Sequence, residues 1–244
     1  SALEETQNCQ PAMFVGGLAA VAKLRAERGE VASNPRCVAG LSLGEYTALC
    51  VAGVFSFEDG LRLVKLRGEA MQDAASIGKQ AMLSVVGLER EVVQELCVKA
   101  RKITSADAVC QIANDLFPKG FSCAGTERAI ENLKDLADKK NALQVKMLKA
   151  SGGFHTELMR PARARLSKAL KEMLPRMRPP TCQVYANFTA EPLEPGTDPE
   201  IIVDLLTEQL VNPVLWCPTI EGMISSGIRE FYECGPQKQI KAMM

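Results

Sequence analysis

Gly40-Leu41-Ser42-Leu43-Gly44 fits Gly-x-Ser-x-Gly, set between the apolar run Cys37-Val38-Ala39 and a helix that opens at Gly44. In that setting the glycines let the chain bend sharply without side-chain clash, and the serine stands exposed at the tip of a strand. The N-terminal end of the following helix favours developing negative charge, and the Leu43 N–H is positioned as an oxyanion donor. The same pentapeptide also fits an ordinary strand-to-helix turn that uses glycine for packing. A serine hydroxyl attacks only when a base takes its proton. The chain has one histidine, His155, in the small-residue run Ser151-Gly152-Gly153-Phe154 just ahead of a helix. It is the candidate base, although a lone histidine can equally be structural. No Asp or Glu is marked as a third member.

The elements that must position these residues follow from periodicity and breakers. Residues 11–28 read as a helix, with Pro11 in its first turn and Gly29 at its end. A strand over 37–40 and a buried helix over 44–52 flank Ser42. Ser56 caps a further helix, with Asp59 at its third position. A strand at 82–87, a helix at 89–101, strands at 109–114 and 120–125, a helix at 126–140 and a strand at 142–148 then follow. This β-α-β-β-α-β order is that of a small ferredoxin-like unit. The predicted organisation is an α/β fold: a hydrolase-like parallel-sheet core (1–78 and 150–244) with a ferredoxin-like insert at 79–149. After His155 come a helix at 156–174, a strand at 182–187, a loop to 198, helices at 199–210 and 217–227, and a strand at Glu230–Glu233.

Composition narrows the function. The chain has 244 residues, 47% hydrophobic and 24% charged, which allows a sizeable core and excludes wholesale disorder. Lys+Arg and Asp+Glu are both 29, which argues against nucleic acid as the main ligand. No apolar run reaches the roughly 18 residues of a membrane span. One histidine excludes multi-histidine metal sites, and no metal is expected. The nine cysteines are an odd number, widely spaced and without Cys-x-x-Cys, which points to a reducing compartment.

Seven blocks, in order along the chain, carry a resemblance: Gln10-Pro11-Ala12, Gly40 to Leu49, Lys65 to Gln72, Gln111 to Asn114, Gly153 to Met159, Gln209 to Trp216 and Glu233 to Pro236. The sequence resembles the malonyl-CoA:acyl-carrier-protein transacylases of fatty-acid and polyketide synthesis. Their fold, a hydrolase-like core with a ferredoxin-like insert, agrees with the pattern above. The resemblance implies that Ser42 is the acylated nucleophile and His155 its base, oriented by Gln209. It implies that Arg67 grips the malonyl carboxylate, that Asn114 and Met71 line the acyl pocket, and that Phe154 is the bulky residue of malonyl-selective members. Arg67 suits its part, because a guanidinium forks two N–H donors onto a carboxylate. An arginine on a helix can equally be a solvated surface charge.

The implied activity is ping-pong transfer of malonyl from malonyl-CoA to the phosphopantetheine thiol of acyl carrier protein. Coenzyme A is then a substrate carrier, and no cofactor is needed. A basic rim of Lys65, Arg160, Arg163 and Arg165 is the candidate landing surface for an acidic carrier. Leu-Ser-Leu-Gly-Glu-Tyr is similar to the plastid-type enzymes, which implies a plastid stroma, with a mitochondrion or bacterial cytoplasm as alternatives. Two departures stand out. The family's N-terminal strand and Gly-Gln-Gly-x-Gln loop, which supply the second oxyanion donor, are expected to be missing here, since the chain starts after them and offers no substitute. Gln237 replaces a glycine and is expected to crowd a tight turn. These departures motivate the alternatives of a non-catalytic scaffold subunit and, apart from them, a serine hydrolase.

Overall fold

The computed structural model describes residue 3 and residues 5–244, leaving aside the side chains of residues 30 and 31. The expected core bounds begin at residue 1, outside the described residues.

Helix α1 spans Thr6–Arg28, starting five residues before the expected boundary. Pro11 therefore lies inside the helix rather than in its first turn. The reason is packing against α4 (Phe57–Ala75). Thr6 N–H donates to Gln72 Oε1 at 3.1 Å, and a Cβ on Gly68 would come within 3.0 Å of Gln7 Cα. That contact holds the first turns helical despite the lost proline donor. After α2 (Glu30–Ser33) comes strand β1 (Cys37–Val38), then α3 (Gly44–Val51). Ser56 caps α4 as expected, accepting from Asp59 N–H at 3.1 Å.

The insert follows in the expected order: β2 (Gln80–Val86), α5 (Arg90–Thr104), β3 (Cys110–Phe117), β4 (Gly120–Thr126), α6 (Glu127–Lys139) and β5 (Gln144–Met147). Its strands lie in the order β5-β2-β4-β3, all antiparallel. A 3₁₀ turn at Glu157–Met159 precedes α7 (Arg160–Met173), so the single helix expected over 156–174 is divided. Pro161 fits the first turn of α7, where a missing N–H costs nothing.

Strand β6 (Gln183–Tyr185) pairs parallel with β1, and the short β7 (Pro192–Leu193) pairs antiparallel with β6. The core sheet is thus a mixed three-stranded one whose parallel pair carries Ser42's approach strand. Helix α8 (Pro199–Gln209) is capped by Asp198, whose carboxylate accepts from Glu200 N–H at 2.9 Å. Strand β8 (Val214–Leu215) then pairs parallel with β3, opposite Asn114 and Asp115, and leads into α9 (Trp216–Ser225). β7 and β8 lie where no strand was expected. At two residues each they are too short for a period-2 pattern to show.

The strand expected at Glu230–Glu233 does not form. All four residues are exposed, and no sheet edge meets them. Instead Glu233 accepts from Ile240 N–H and Lys241 N–H at 2.8 and 2.9 Å, tying this stretch to α10 (Gln239–Met243). Gln237 crowds nothing: it is exposed, its φ is not positive, and its amide oxygen accepts from Gln239 at 2.8 Å.

Two cores result. One packs α1, α3, α4, α7 and α8 around Phe14, Leu49, Leu63, Leu166 and Leu206. The other fills the insert, around Leu83, Val93, Ile112, Ile130 and Leu133.

Candidate active site

The site is built on the turn between β1 and α3. A Cβ on Gly40 would fall 2.1 Å from the backbone carbonyl of Gly44, so no other residue fits there. Ser42 takes φ 53°, a left-handed conformation that costs a non-glycine residue roughly 1–3 kcal/mol. Asn187, just past β6, fixes the turn. Its Oδ1 accepts from Ser42 N–H at 2.6 Å, and its Nδ2 donates to Gly40 O at 2.8 Å. The Leu43 N–H, at the cap of α3, makes no hydrogen bond among the described residues, which leaves it available as a donor.

His155 lies 113 residues away in sequence, and its Nε2 is 2.8 Å from Ser42 Oγ. Its Nδ1 is 2.8 Å from the backbone carbonyl of Gln209. A carbonyl only accepts, so Nδ1 carries the proton and Nε2 is left to receive the serine's. His155 also has positive φ, 59°. The insert holds its segment from two strands: Gln80 Oε1 on β2 accepts from Gly153 N–H at 2.8 Å, and Gln111 Oε1 on β3 accepts from Glu157 N–H at 3.1 Å. His155 is 3% exposed. Burial, and after it the Arg67 charge, pull its pKa from 6.5 down to about 4, so it is neutral and basic-ready at pH 7.

Arg67, from α4, is 1% exposed. Nη2 donates to Ser42 Oγ at 3.0 Å and to Gln209 Oε1 at 2.9 Å, and Nη1 donates to Gln10 Oε1 at 2.6 Å. The guanidinium lies 5.4 Å from the centroid of the Tyr46 ring. Among the described residues, Arg67 Nε and Tyr46 Oη are buried without a hydrogen-bond partner. This is no solvated surface arginine but a buried cation beside the serine.

Gln209 meets His155 through its backbone carbonyl, which accepts from Nδ1–H. The side chain donates to Ser42 O at 2.9 Å and to Glu45 Oε2 at 2.6 Å while accepting from Arg67. The reason is placement at the C-terminus of α8, where the last carbonyls are free of helix bonds and point at whatever packs there.

The other expected residues stand further out. Met71 Sδ accepts from Gln10 Nε2 at 3.3 Å, so it touches the residue that holds Arg67. Phe154 is partly buried and packs against the core beside Met82 and Ala113. Asn114 donates to Ser122 Oγ at 2.5 Å across the insert sheet, and no hydrogen bond among the described residues joins it to Ser42, His155 or Arg67. Its strand reaches the site indirectly, through β8, whose Leu215 N–H donates to Asn187 O at 2.8 Å. The basic rim is mostly spoken for: Arg160 pairs with Glu157, Arg163 with Glu208, and Arg165 with Glu69 and Asp73, leaving Lys65 exposed.

Three residues were not singled out for the site from sequence: Gln10, Glu45 and Asn187. Gln10 lies in a matching block, and Glu45 lies three residues after Ser42. Asn187 closed the expected strand at 182–187 and gave no other signal. Two surface depressions, of about 520 Å³ on α7 and about 270 Å³ between α1 and α4, lie apart from Ser42. The hydrogen-bond geometry, not the size of a hollow, marks the site. Among the described residues no group of three or more His, Cys, Asp or Glu side chains is arranged to hold a metal, and no helix is long and apolar enough to cross a membrane.

The profile of the acyl transferase domain family matches residues 1–243. The chain belongs to this family. It is 36% identical over 250 residues to the human mitochondrial malonyl-CoA-acyl carrier protein transacylase, covering 99% of this chain and 63% of that protein. It is 33% identical over 241 residues to the Bacillus subtilis malonyl CoA-acyl carrier protein transacylase, covering 98% of this chain and 72% of that one. The chain thus spans slightly under two thirds of the human relative. Among solved structures, FabD from Acinetobacter baumannii superposes with a TM-score of 0.92 at 30% identity, covering 100% of this chain and 74% of its own. A malonyl-transacylase solved with its type II polyketide acyl-carrier protein superposes at 0.90 with 30% identity, covering 99% and 74%. The α/β fold is that of these family members.

Proposed function

We propose that the chain transfers a malonyl group from malonyl-CoA to the phosphopantetheine thiol of an acyl carrier protein, through malonyl-Ser42. The observation that carries this reading is the arrangement at Ser42 Oγ, with His155 Nε2 at 2.8 Å and Arg67 Nη2 at 3.0 Å. A base on one side and a fixed cation on the other suit acyl transfer to a substrate that ends in a free acid. The relatives named above carry that activity in their names.

In the first half-reaction His155 Nε2 takes the Ser42 proton as Oγ attacks the thioester carbonyl. The Leu43 N–H at the start of α3 receives the developing oxyanion. Collapse expels the coenzyme A thiolate, which takes the proton back from His155. The Arg67–Oγ bond becomes available once Oγ is an ester oxygen, and the guanidinium then holds the malonyl carboxylate. An acetyl group would offer that buried charge no carboxylate, which gives a preference of roughly 2–5 kcal/mol. In the second half the carrier thiol attacks the ester carbonyl as His155 takes its proton, and collapse breaks the bond to Oγ, which takes that proton back from His155 as malonyl leaves on the carrier sulfur. Met71 shapes the acyl pocket by holding Gln10 against Arg67, with Phe154 beside it. Asn114 supports the pocket's far wall through the insert sheet.

The carrier protein would approach the side bearing Lys65. A plastid stroma is the compartment we favour, on the Leu-Ser-Leu-Gly-Glu-Tyr resemblance. An assembled serine–histidine pair lends no support to a non-catalytic scaffold. The test is mass spectrometry of the chain after incubation with malonyl-CoA. One malonyl adduct on Ser42, discharged by holo carrier protein and absent from Ser42→Ala, is expected. An intact, folded chain that gains no adduct would overturn the proposal.

A further inference from the structure

Glu45 is the one buried carboxylate of the site cluster, 2% exposed, and the mechanism above gives it no part. It faces inward from the first turn of α3. Gln209 Nε2 donates to it at 2.6 Å, and the backbone of Asn187 lies close enough to pull its pKa down. Through the Gln209 amide it is joined to Arg67, whose Nη2 donates to the other end of that amide at 2.9 Å. The chain Arg67–Gln209–Glu45 thus runs cation, amide dipole, carboxylate, with every member 1–2% exposed. A buried cation of this kind is tolerable only with a counter-charge nearby.

We propose that Glu45 is the internal counter-ion of Arg67, and that it takes up a proton when an acyl carboxylate pairs with Arg67. This rests on the malonyl-transfer reading above. Loading a malonyl group would otherwise put two carboxylates against one buried guanidinium. The cluster avoids that by neutralising the older partner. In balance, Ser42–OH and malonyl-CoA give malonyl-Ser42 and the coenzyme A thiol, while Glu45 carboxylate binds one proton from water. Acetyl loading brings no second carboxylate, so Glu45 stays ionised as the counter-charge of Arg67.

The groups facing Glu45 leave it as the member that responds near neutrality. From α4 comes Arg67, which stays charged. From its own helix comes Tyr46, whose hydroxyl is pushed up by burial and stays neutral. His155, joined to the cluster through Ser42, is already neutral, with its pKa near 4. Burial pushes Glu45 up from 4.5 to about 7, against the pull of Gln209, Asn187 and Arg67. Removing the pull of Arg67 raises it further.

The test compares Ser42 acylation rates with malonyl-CoA and acetyl-CoA across pH 6 to 9, in the unaltered chain and in Glu45→Gln. Proton uptake predicts that the malonyl-over-acetyl preference falls above about pH 7, by up to about tenfold per pH unit. Glu45→Gln keeps the amide bond to Gln209 and should hold the low-pH preference throughout. A preference that is flat in the unaltered chain, or equally sloped in both, overturns the proposal. If no adduct forms on either chain, the malonyl-transfer reading fails, and the infrared spectrum of the free chain then decides the counter-ion assignment. A carboxylic-acid band titrating near neutrality and missing from Glu45→Gln supports it. A Glu45 that titrates in the ordinary carboxylate range overturns it.

Discussion

The interior next to Ser42 and the core of the insert are buried to the same degree and filled differently. The insert's main core is apolar, with Leu83, Val93, Ile112, Ile130 and Leu133 each 0–2% exposed, and its buried polar groups Asn114, Asp115 and Ser122 lie on β3 and β4. The interior behind Ser42 holds Gln10, Glu45, Arg67, His155, Asn187 and Gln209 at 1–5%. Apolar contact stabilises in proportion to the area removed from water. A buried ion network stabilises little, and often less than a hydrophobic replacement would. The insert reads as a packing unit that holds the His155 segment through Gln80 and Gln111, while the polar interior gives up stability to place charged and hydrogen-bonding groups beside Ser42.

Four changes probe that contrast. Ser42→Ala should lower acyl transfer roughly 10⁴-fold or more with the fold intact, read by adduct mass and thermal melting. Stability lost in step with activity would contradict it. Arg67→Met should lower malonyl loading roughly 10²-fold or more while acetyl loading falls less, as a ratio of kcat/KM values. An unchanged ratio would remove Arg67 from carboxylate binding. Leu133→Ala, in the insert, should cost roughly 2–5 kcal/mol in denaturant titration and leave the malonyl-over-acetyl ratio where it was.

The smallest effect is on pH. His155 titrates at about 4 when folded against 6.5 in its ordinary range. Between those values the unfolded chain binds more protons, so this contribution is complete above pH 6.5 and is lost as pH falls toward 4. Glu45 titrates at about 7 against 4.5. There the folded chain binds more protons, so its contribution is complete below pH 4.5 and is lost as pH rises to 7. Over pH 4.5–6.5 these two contributions oppose each other. Glu45→Gln removes one side, and its melting temperature should then drop as pH falls through that window, by roughly 2–4 °C per kcal/mol. A variant whose melting follows pH as the parent's does would show that the shifts are not in play.

Much of this was readable before any coordinates. The turn at Gly40–Gly44 is local: no side chain fits at Gly40, and that constraint is written in the pentapeptide. The insert's element order was equally plain, because its amphipathic helices and its strands each hold one period long enough to recognise. Boundaries failed where a distant partner decided them, as at the start of α1 against α4 and at Glu230–Glu233, which meets no sheet edge.

From sequence alone came the sharp turn that carries Ser42, the chain's one histidine, and the family whose motifs surround them. Folding decided which atom of Gln209 faces His155, that Arg67 lies buried rather than on the surface, and that Glu45 points inward to meet it. The reason is physical. A helix's first-turn glutamate and mid-helix arginine look the same in a sequence whether solvent or protein covers them, and only packing of α3, α4 and α8 on one another chooses the face that loses its water.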